Sequence, residues 1–223
     1  RTFLDQGDEV IVSDPTFSEY ELNALIEGAV VKHAKCSEET GKTDFEAMLS
    51  EMTDKTKMIW ICNPNNPTGA LNPKEILLEI IQVAREFGLL ILADEIYDRL
   101  VMDGKQHISL ASLTEDVPVI TLNGLSKSHC LCGYRCGWMV ISGPRELTED
   151  YRQGIIQLTS LRLCANTMAQ IVIPAALDDM ETPASMVRPG GRIYEQREAT
   201  VRELEKIDGL SFVKNDAAFY VFP

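Results

Sequence analysis

Short apolar runs recur along this chain, and polar or Gly/Pro-rich turns punctuate them. Glu9 to Val12, Ala29 to His33, Met58 to Cys62, Leu89 to Ala93, Val119 to Leu122 and Trp138 to Ile141 read as strands. Helical patterns lie between several of them. Ser18 or Thr16 caps a helix running to about Gly28, with Tyr20, Leu22, Leu25 and Ile26 on its apolar face. Asp44 caps a second helix carrying Phe45, Met48 and Leu49. Pro73 opens a long amphipathic helix that reaches Phe87 and is ended by Gly88. Further on, Pro144 starts a helical stretch, and another helix spans Thr167 to Met180. Pro183, Pro189, Gly190 and Gly191 then break the chain, and Ile193 to Ile207 is a charged amphipathic helix. Leu210 to Val213 and Phe219 to Phe222 read as strands joined by a polar turn, whereas Val101 to Val117 carries no regular pattern.

Strands alternating with helices imply an α/β fold with a mostly parallel central sheet covered on both faces. Ligands in such sheets bind beyond the carboxyl ends of the strands. Asn66, Asp94, Tyr97 and Lys127 all fall at such ends. A boundary in the 181–192 region divides the chain into a large domain, residues 1–185, and the start of a smaller one, residues 186–223. The chain opens on Arg1 and stops inside an apparent strand, so it reads as an internal piece of a longer protein, incomplete in both domains.

Composition narrows the function. At 223 residues and 45% hydrophobic, the chain can bury a sizeable core, and no 18-residue apolar run predicts a membrane span. A formal net charge of -13 argues against nucleic acid as the main partner. The opening residues carry charges and no long apolar core, unlike a signal peptide. Of six cysteines, Cys130, Cys132 and Cys136 cluster, but no second pair at zinc-like spacing accompanies them. Reduced thiols in a cytoplasmic protein, with no metal, are the expectation.

The richest chemistry lies between Leu122 and Gly137. Lys127 stands at the mouth of one strand; Arg135, eight positions later, stands at the entry to the next, flanked by Gly133 and Gly137. The glycines are expected to let backbone approach closely there. An amine that can be desolvated, together with a fixed cation, suits a carbonyl compound bearing a phosphate. Two rival motifs fail. No Gly precedes Lys127 as a phosphate-binding P-loop requires, and with only His33, His107 and His129 a thiol–histidine pair has little support.

The order N-P-N-N-P-T-G (Asn63 to Gly69), D-E-I-Y (Asp94 to Tyr97), S-K (Ser126-Lys127) and G-Y-R-C-G (Gly133 to Gly137) resembles fold-type I pyridoxal-phosphate enzymes, specifically the class I/II aminotransferases. The resemblance covers essentially the whole chain. It implies pyridoxal 5'-phosphate as cofactor, with Lys127 as the catalytic lysine that forms the internal aldimine and later moves the substrate's proton. By the same resemblance Asp94 pairs with the pyridinium nitrogen, and Asn66 and Tyr97 bond the ring's phenolic oxygen. Phe17 stacks on the ring; Arg135, with Ser126, holds the phosphate. Relatives have Ser three places before the lysine, where this chain has Gly124, so a backbone contact replaces a side-chain one.

N-G-L-S-K, L-R-L-C-A-N and P-G-G-R-I-Y-E-Q-R look most similar to alanine (glutamate–pyruvate) aminotransferases, which implies an amino acid, alanine, and a 2-oxo acid, 2-oxoglutarate, as substrates. Arg162, in the L-R-L-C stretch, is a candidate for the distal substrate carboxylate, reaching it in the partner subunit of a homodimer. Two alternatives stand beside this: a carbon–sulfur β-lyase on the same scaffold, and a cofactor-sensing regulatory domain fused to a DNA-binding module. By the family pattern, the helix that receives the phosphate, a pocket-shaping segment and the α-carboxylate arginine lie outside the chain. Alone, the chain is therefore expected to be catalytically inactive and to bind the cofactor weakly.

Overall fold

The computed structural model describes residues 2–223. Strands β1 (Glu9–Asp14), β2 (Val30–Lys35), β3 (Thr56–Cys62), β4 (Leu90–Asp94), β5 (Val119–Gly124) and β6 (Gly137–Ser142) form one six-stranded sheet in the spatial order β2-β1-β3-β4-β5-β6. β1 to β5 are parallel, and β6 runs antiparallel to β5. The six strands predicted between residues 9 and 141 are all present, and the fold is α/β with a mostly parallel sheet, as expected.

Alternation along the strands feeds two cores. Val10, Val12, Met58, Leu90, Leu92 and Ile120 point to one face, with Tyr20, Tyr97 and Ala218. Ile11, Ile59, Ile61, Ile91 and Val119 point to the other, where α3 (Lys74–Phe87) packs Leu77, Ile80, Ile81 and Ala84. Pro73 precedes the first turn of α3, and Gly88 at φ +66° ends it in the left-handed conformation. The predicted cap of α2 (Phe45–Ser50) also forms, with Asp44 Oδ1 accepting from Ala47 N at 3.0 Å.

Helix α1 (Glu19–Ile26) departs from its predicted face. Tyr20 and Ala24, one turn apart, are buried, while Leu22, Leu25 and Ile26 are exposed, and Ser18 makes no side-chain cap. Aromatic stacking explains the choice: Tyr20 lies on Trp60 of β3 with ring centroids 4.4 Å apart and planes at 22°. After the four-residue α4 (Leu125–Ser128) and β6 come α5 (Arg145–Arg162) and α6 (Thr167–Asp178). The break expected at Pro183 is instead α7 (Glu181–Val187), since proline in a first turn forfeits no helical hydrogen bond. The real break, at residues 188–191, precedes α8 (Arg192–Leu204).

The two strands expected near the carboxyl terminus do not form. Among the described residues, the strand-type pairing there is the single bridge Val101–Ala217. Loops take the segment's backbone groups instead: Gly69 O accepts from Asp216 N at 3.0 Å and Ala217 N at 2.9 Å, and Leu100 O accepts from Ala218 N at 2.8 Å. Gly69, at φ +67°, allows this approach; a Cβ there would stand 2.5 Å from Asn215 Cβ.

Candidate active site

Sheet order reverses at β1, whose neighbours are β2 on one side and β3 on the other. Crevices open at the carboxyl ends of strands at such a switch point. To one side of it three neighbouring strands end together: Cys62 of β3 pairs with Asp94 of β4, and Asp94 with Leu122 of β5. The ladder continues one step into the loops through Asn63 N to Asp94 O at 3.0 Å and Glu95 N to Leu122 O at 2.9 Å. The loops leaving β3, β4 and β5 therefore start side by side.

A cavity of about 280 Å³ lies over these ends. Phe17, Asn66, Asp94, Tyr97, Ser126, Lys127 and Arg135 all line it, so seven of the eight predicted site residues come together from five separate segments. A larger cavity, about 640 Å³, sits between the ends of β1 and β2 and the carboxyl-terminal segment, and none of the predicted site residues line it.

Asp94 anchors one half of the site. Its Oδ2 accepts from Tyr20 Oη at 2.7 Å and its Oδ1 from Ile96 N at 3.1 Å. Burial raises its pKa, and those two hydrogen bonds and the Lys127 charge oppose the rise. A desolvated carboxylate of this kind is poised for a cationic N–H. Tyr20, in turn, is held well above the ordinary phenol range by burial, with Cys62 and Asp94 adding to it. Beside them, Tyr97 Oη lies 2.7 Å from Tyr220 Oη and accepts a long hydrogen bond, 3.5 Å, from Asn66 Nδ2. Burial, then Tyr220, pushes Tyr97 upward as well, so both phenols are neutral.

The other half carries the cations. Ser126 and Lys127 belong to α4, directly after β5, and Lys127 Nζ stands 5.8 Å from the Phe219 ring centroid. Arg135, at φ +52°, closes the turn before β6, and its Nη1 donates to Cys132 O at 2.8 Å. Close backbone approach occurs here, though not at both expected glycines. A Cβ on Gly137 would meet Asn123 O at 2.9 Å, and one on Gly124 would meet Cys136 O at the same distance. Gly133 has open space around it. Gly124 thus serves the pairing of β5 with β6.

Arg162 ends α5 in an exposed position and does not line the cavity. Tyr20, Ile96, Cys132 and Tyr220 line it without having been predicted. Tyr20 was legible only as a helix-face residue; its place one turn after Phe17 is the signal that could have found it. Cys132 is an exposed free thiol, and Tyr220 lies outside any strand.

A family model described as aminotransferase class I and II matches residues 1–223. An alanine aminotransferase of Mycobacterium bovis is 41% identical over all of this chain and 52% of its own length. The glutamate-pyruvate aminotransferase AlaA of Escherichia coli is 40% identical, again over the whole chain and 55% of its own length. The crystal structure of an aminotransferase from Escherichia coli superposes with a TM-score of 0.97 at 40% identity, covering 100% of this chain and 55% of that one. The chain spans about half the length of the curated relatives it matches. No helix of the described residues is long and apolar enough to cross a membrane.

Proposed function

The chain belongs to the class I and II aminotransferases, and from that premise we propose that it supplies the cofactor-binding core of a cytoplasmic, pyridoxal-phosphate-dependent alanine–2-oxoglutarate aminotransferase. One observation carries the reading: an amine, a desolvated carboxylate and a guanidinium line a single cavity at the ends of adjacent parallel strands. The relatives named for alanine and for glutamate–pyruvate exchange support the choice of substrates.

The residues fit the cofactor's chemistry. Asp94 offers a carboxylate held by one hydrogen bond on each oxygen, which suits a protonated ring nitrogen. Asn66 and Tyr97 offer N–H and O–H groups to a phenolic oxygen. Arg135 and Ser126 suit the phosphate, Phe17 the ring face, and Lys127 Nζ the aldehyde carbon. Bound pyridoxal phosphate supplies an electron sink that stabilises a carbanion at the substrate's α-carbon. Asp94 keeps the ring-nitrogen proton in place by charge, because an anion in a desolvated site favours the protonated partner. Lys127 would be the group within the cavity that takes and returns a proton. Tyr97 and Asn66 orient the ring without competing for that proton, since burial holds the phenol neutral. The reading extends to a homodimer, in which Arg162 meets the distal carboxylate of the substrate across the interface by a bidentate pair. A division near residues 181–192 would then separate the cofactor domain from a smaller one.

The full-length protein, purified with pyridoxal phosphate, is expected to convert alanine and 2-oxoglutarate to pyruvate and glutamate. Release of pyruvate from cystathionine without 2-oxoglutarate would overturn transamination in favour of β-elimination.

A further inference from the structure

Three segments carry the cavity's charged groups, and all three are tied to one helix that contributes nothing to the cavity itself. The last turn of a helix leaves backbone carbonyls without intrahelical partners. In α6, Ala176 O and Leu177 O accept from Arg99 Nη1 at 3.2 Å and Nη2 at 3.1 Å, and Arg99 Nη1 also reaches Asp179 O at 3.4 Å. Arg99 lies five residues after Asp94 and two after Tyr97. The same Asp179 O accepts from His129 Nε2 at 3.3 Å, while His129 Nδ1 lies 2.9 Å from Ser128 Oγ. His129 is 7% exposed in its side chain and lies two residues after Lys127. At the opposite end, the Asn166 cap of α6 donates from Nδ2 to Tyr134 O at 3.0 Å, in the residue before Arg135. The Asp94–Tyr97 segment, the Lys127 segment and the Arg135 turn are thus each pinned to α6. Its 12 residues span about 18 Å. Cationic or N–H donors at a helix carboxyl end are also favoured by the helix dipole.

We propose that α6 is a brace that fixes the spacing between the carboxylate, the amine and the guanidinium of the cofactor site, with Arg99, His129 and Asn166 as the positioning residues that pin the three segments to it. The fork of Arg99 presents two separate nitrogens to three carbonyls, whereas a lysine would have to reach them from a single nitrogen. The functional meaning of the brace rests on the proposed cofactor site, but its mechanical content does not.

Hydrogen–deuterium exchange on the full-length protein tests the mechanical part with or without cofactor. Arg99→Ala is expected to raise exchange about tenfold, the loss of one charge-assisted bond, at residues 95–100 and also at residues 132–135, at the far end of α6. Arg99→Lys should fall between, and His129→Gln, which keeps an N–H donor, should restore protection that His129→Ala loses. Increases confined to residues 95–100 in Arg99→Ala would overturn the brace. In cofactor-loaded protein, Arg99→Ala should also move the pH midpoint of the cofactor's absorbance, whereas Arg85→Ala, at a surface ion pair on α3, should leave it in place. Equal midpoints in wild type and Arg99→Ala would count against the brace. A wild type with no cofactor absorbance would instead sink the proposed function, and exchange would still decide the brace.

Discussion

Asp94 and Arg135 line the same cavity, yet they are held by different means. Asp94 ends a central strand, receives one hydrogen bond on each oxygen, and sits among Tyr20 and Tyr97, which are 3% and 2% exposed. Arg135 is exposed, lies in a left-handed turn, and bonds a carbonyl three residues away. The carboxylate is therefore preorganised by the sheet and its two cores. The guanidinium is placed by a turn whose external ties are the β5–β6 glycine contact and the Asn166 hydrogen bond. A rigid buried carboxylate beside a looser exposed cation is a division the physics favours. Buried charge needs fixed partners, whereas a solvated cation adapts to its ligand.

Lys127→Ala gives the largest expected effect. It belongs to the cation half, where side chains are replaceable without cost to the core, so the fold should persist while transamination falls by more than about 10⁴-fold, the loss of a proton-transfer group and a covalent tether together. Circular dichroism and steady-state rates measure both, and turnover within tenfold of wild type would remove the lysine from its role. On the buried half, Asp94→Asn should keep the cofactor bound but slow the half-reaction about 10²-fold, the scale of losing one preorganised electrostatic partner. A near-normal single-turnover rate would mean that the rigidity of this half serves stability alone.

Glu95, next to Asp94, sharpens the comparison through pH. Burial raises its pKa from 4.5 to about 7, against hydrogen bonds from Leu110 N at 2.9 Å and Ser109 Oγ at 3.1 Å. Folded protein thus holds a proton that unfolded protein releases between those pH values, so the native state binds more protons there. Its contribution to stability is complete below the unfolded pKa and is lost as pH rises through the folded one. Glu95→Gln, neutral throughout, should match wild type near pH 4.5 and exceed it at pH 8 by on the order of 2 kcal/mol in urea unfolding. Parallel stability curves for the two proteins would refute this. Tyr20→Phe has the smallest expected effect. It removes one donor to Asp94, so the Asp94 pKa should rise further and the half-reaction slow about tenfold. An unchanged Asp94 titration by NMR would show that Ile96 N–H and Lys127 suffice.

Much of this was legible because the strands are short, apolar and bounded by clear turns. Leu90–Asp94 and Val119–Gly124 differ from their sequence ranges by one or two residues. What escaped reading had a common cause. The apolar residues of α1 could be seen, but not that Tyr20 would stack on Trp60 and leave Leu22, Leu25 and Ile26 outside. Residues 210–213 and 219–222 have strand-like composition, but the turn between them, residues 216–218, is held by Gly69 O and Leu100 O, and no ladder forms on either side of it.

By itself the sequence determined the alternation of strand and helix, the parallel sheet, and the placing of Asn66, Asp94 and Lys127 at strand ends, because periodicity, turn residues and caps act over a few neighbours. Tertiary structure alone decided which carboxylate oxygen Tyr20 occupies, which glycines the β5–β6 crossing needs, and that Arg99, His129 and Asn166 meet one helix. Those contacts join residues tens of positions apart, such as Tyr20 and Asp94 with 74 between their numbers. Only the packed sheet brings such groups within hydrogen-bonding range, and burial then sets their charge.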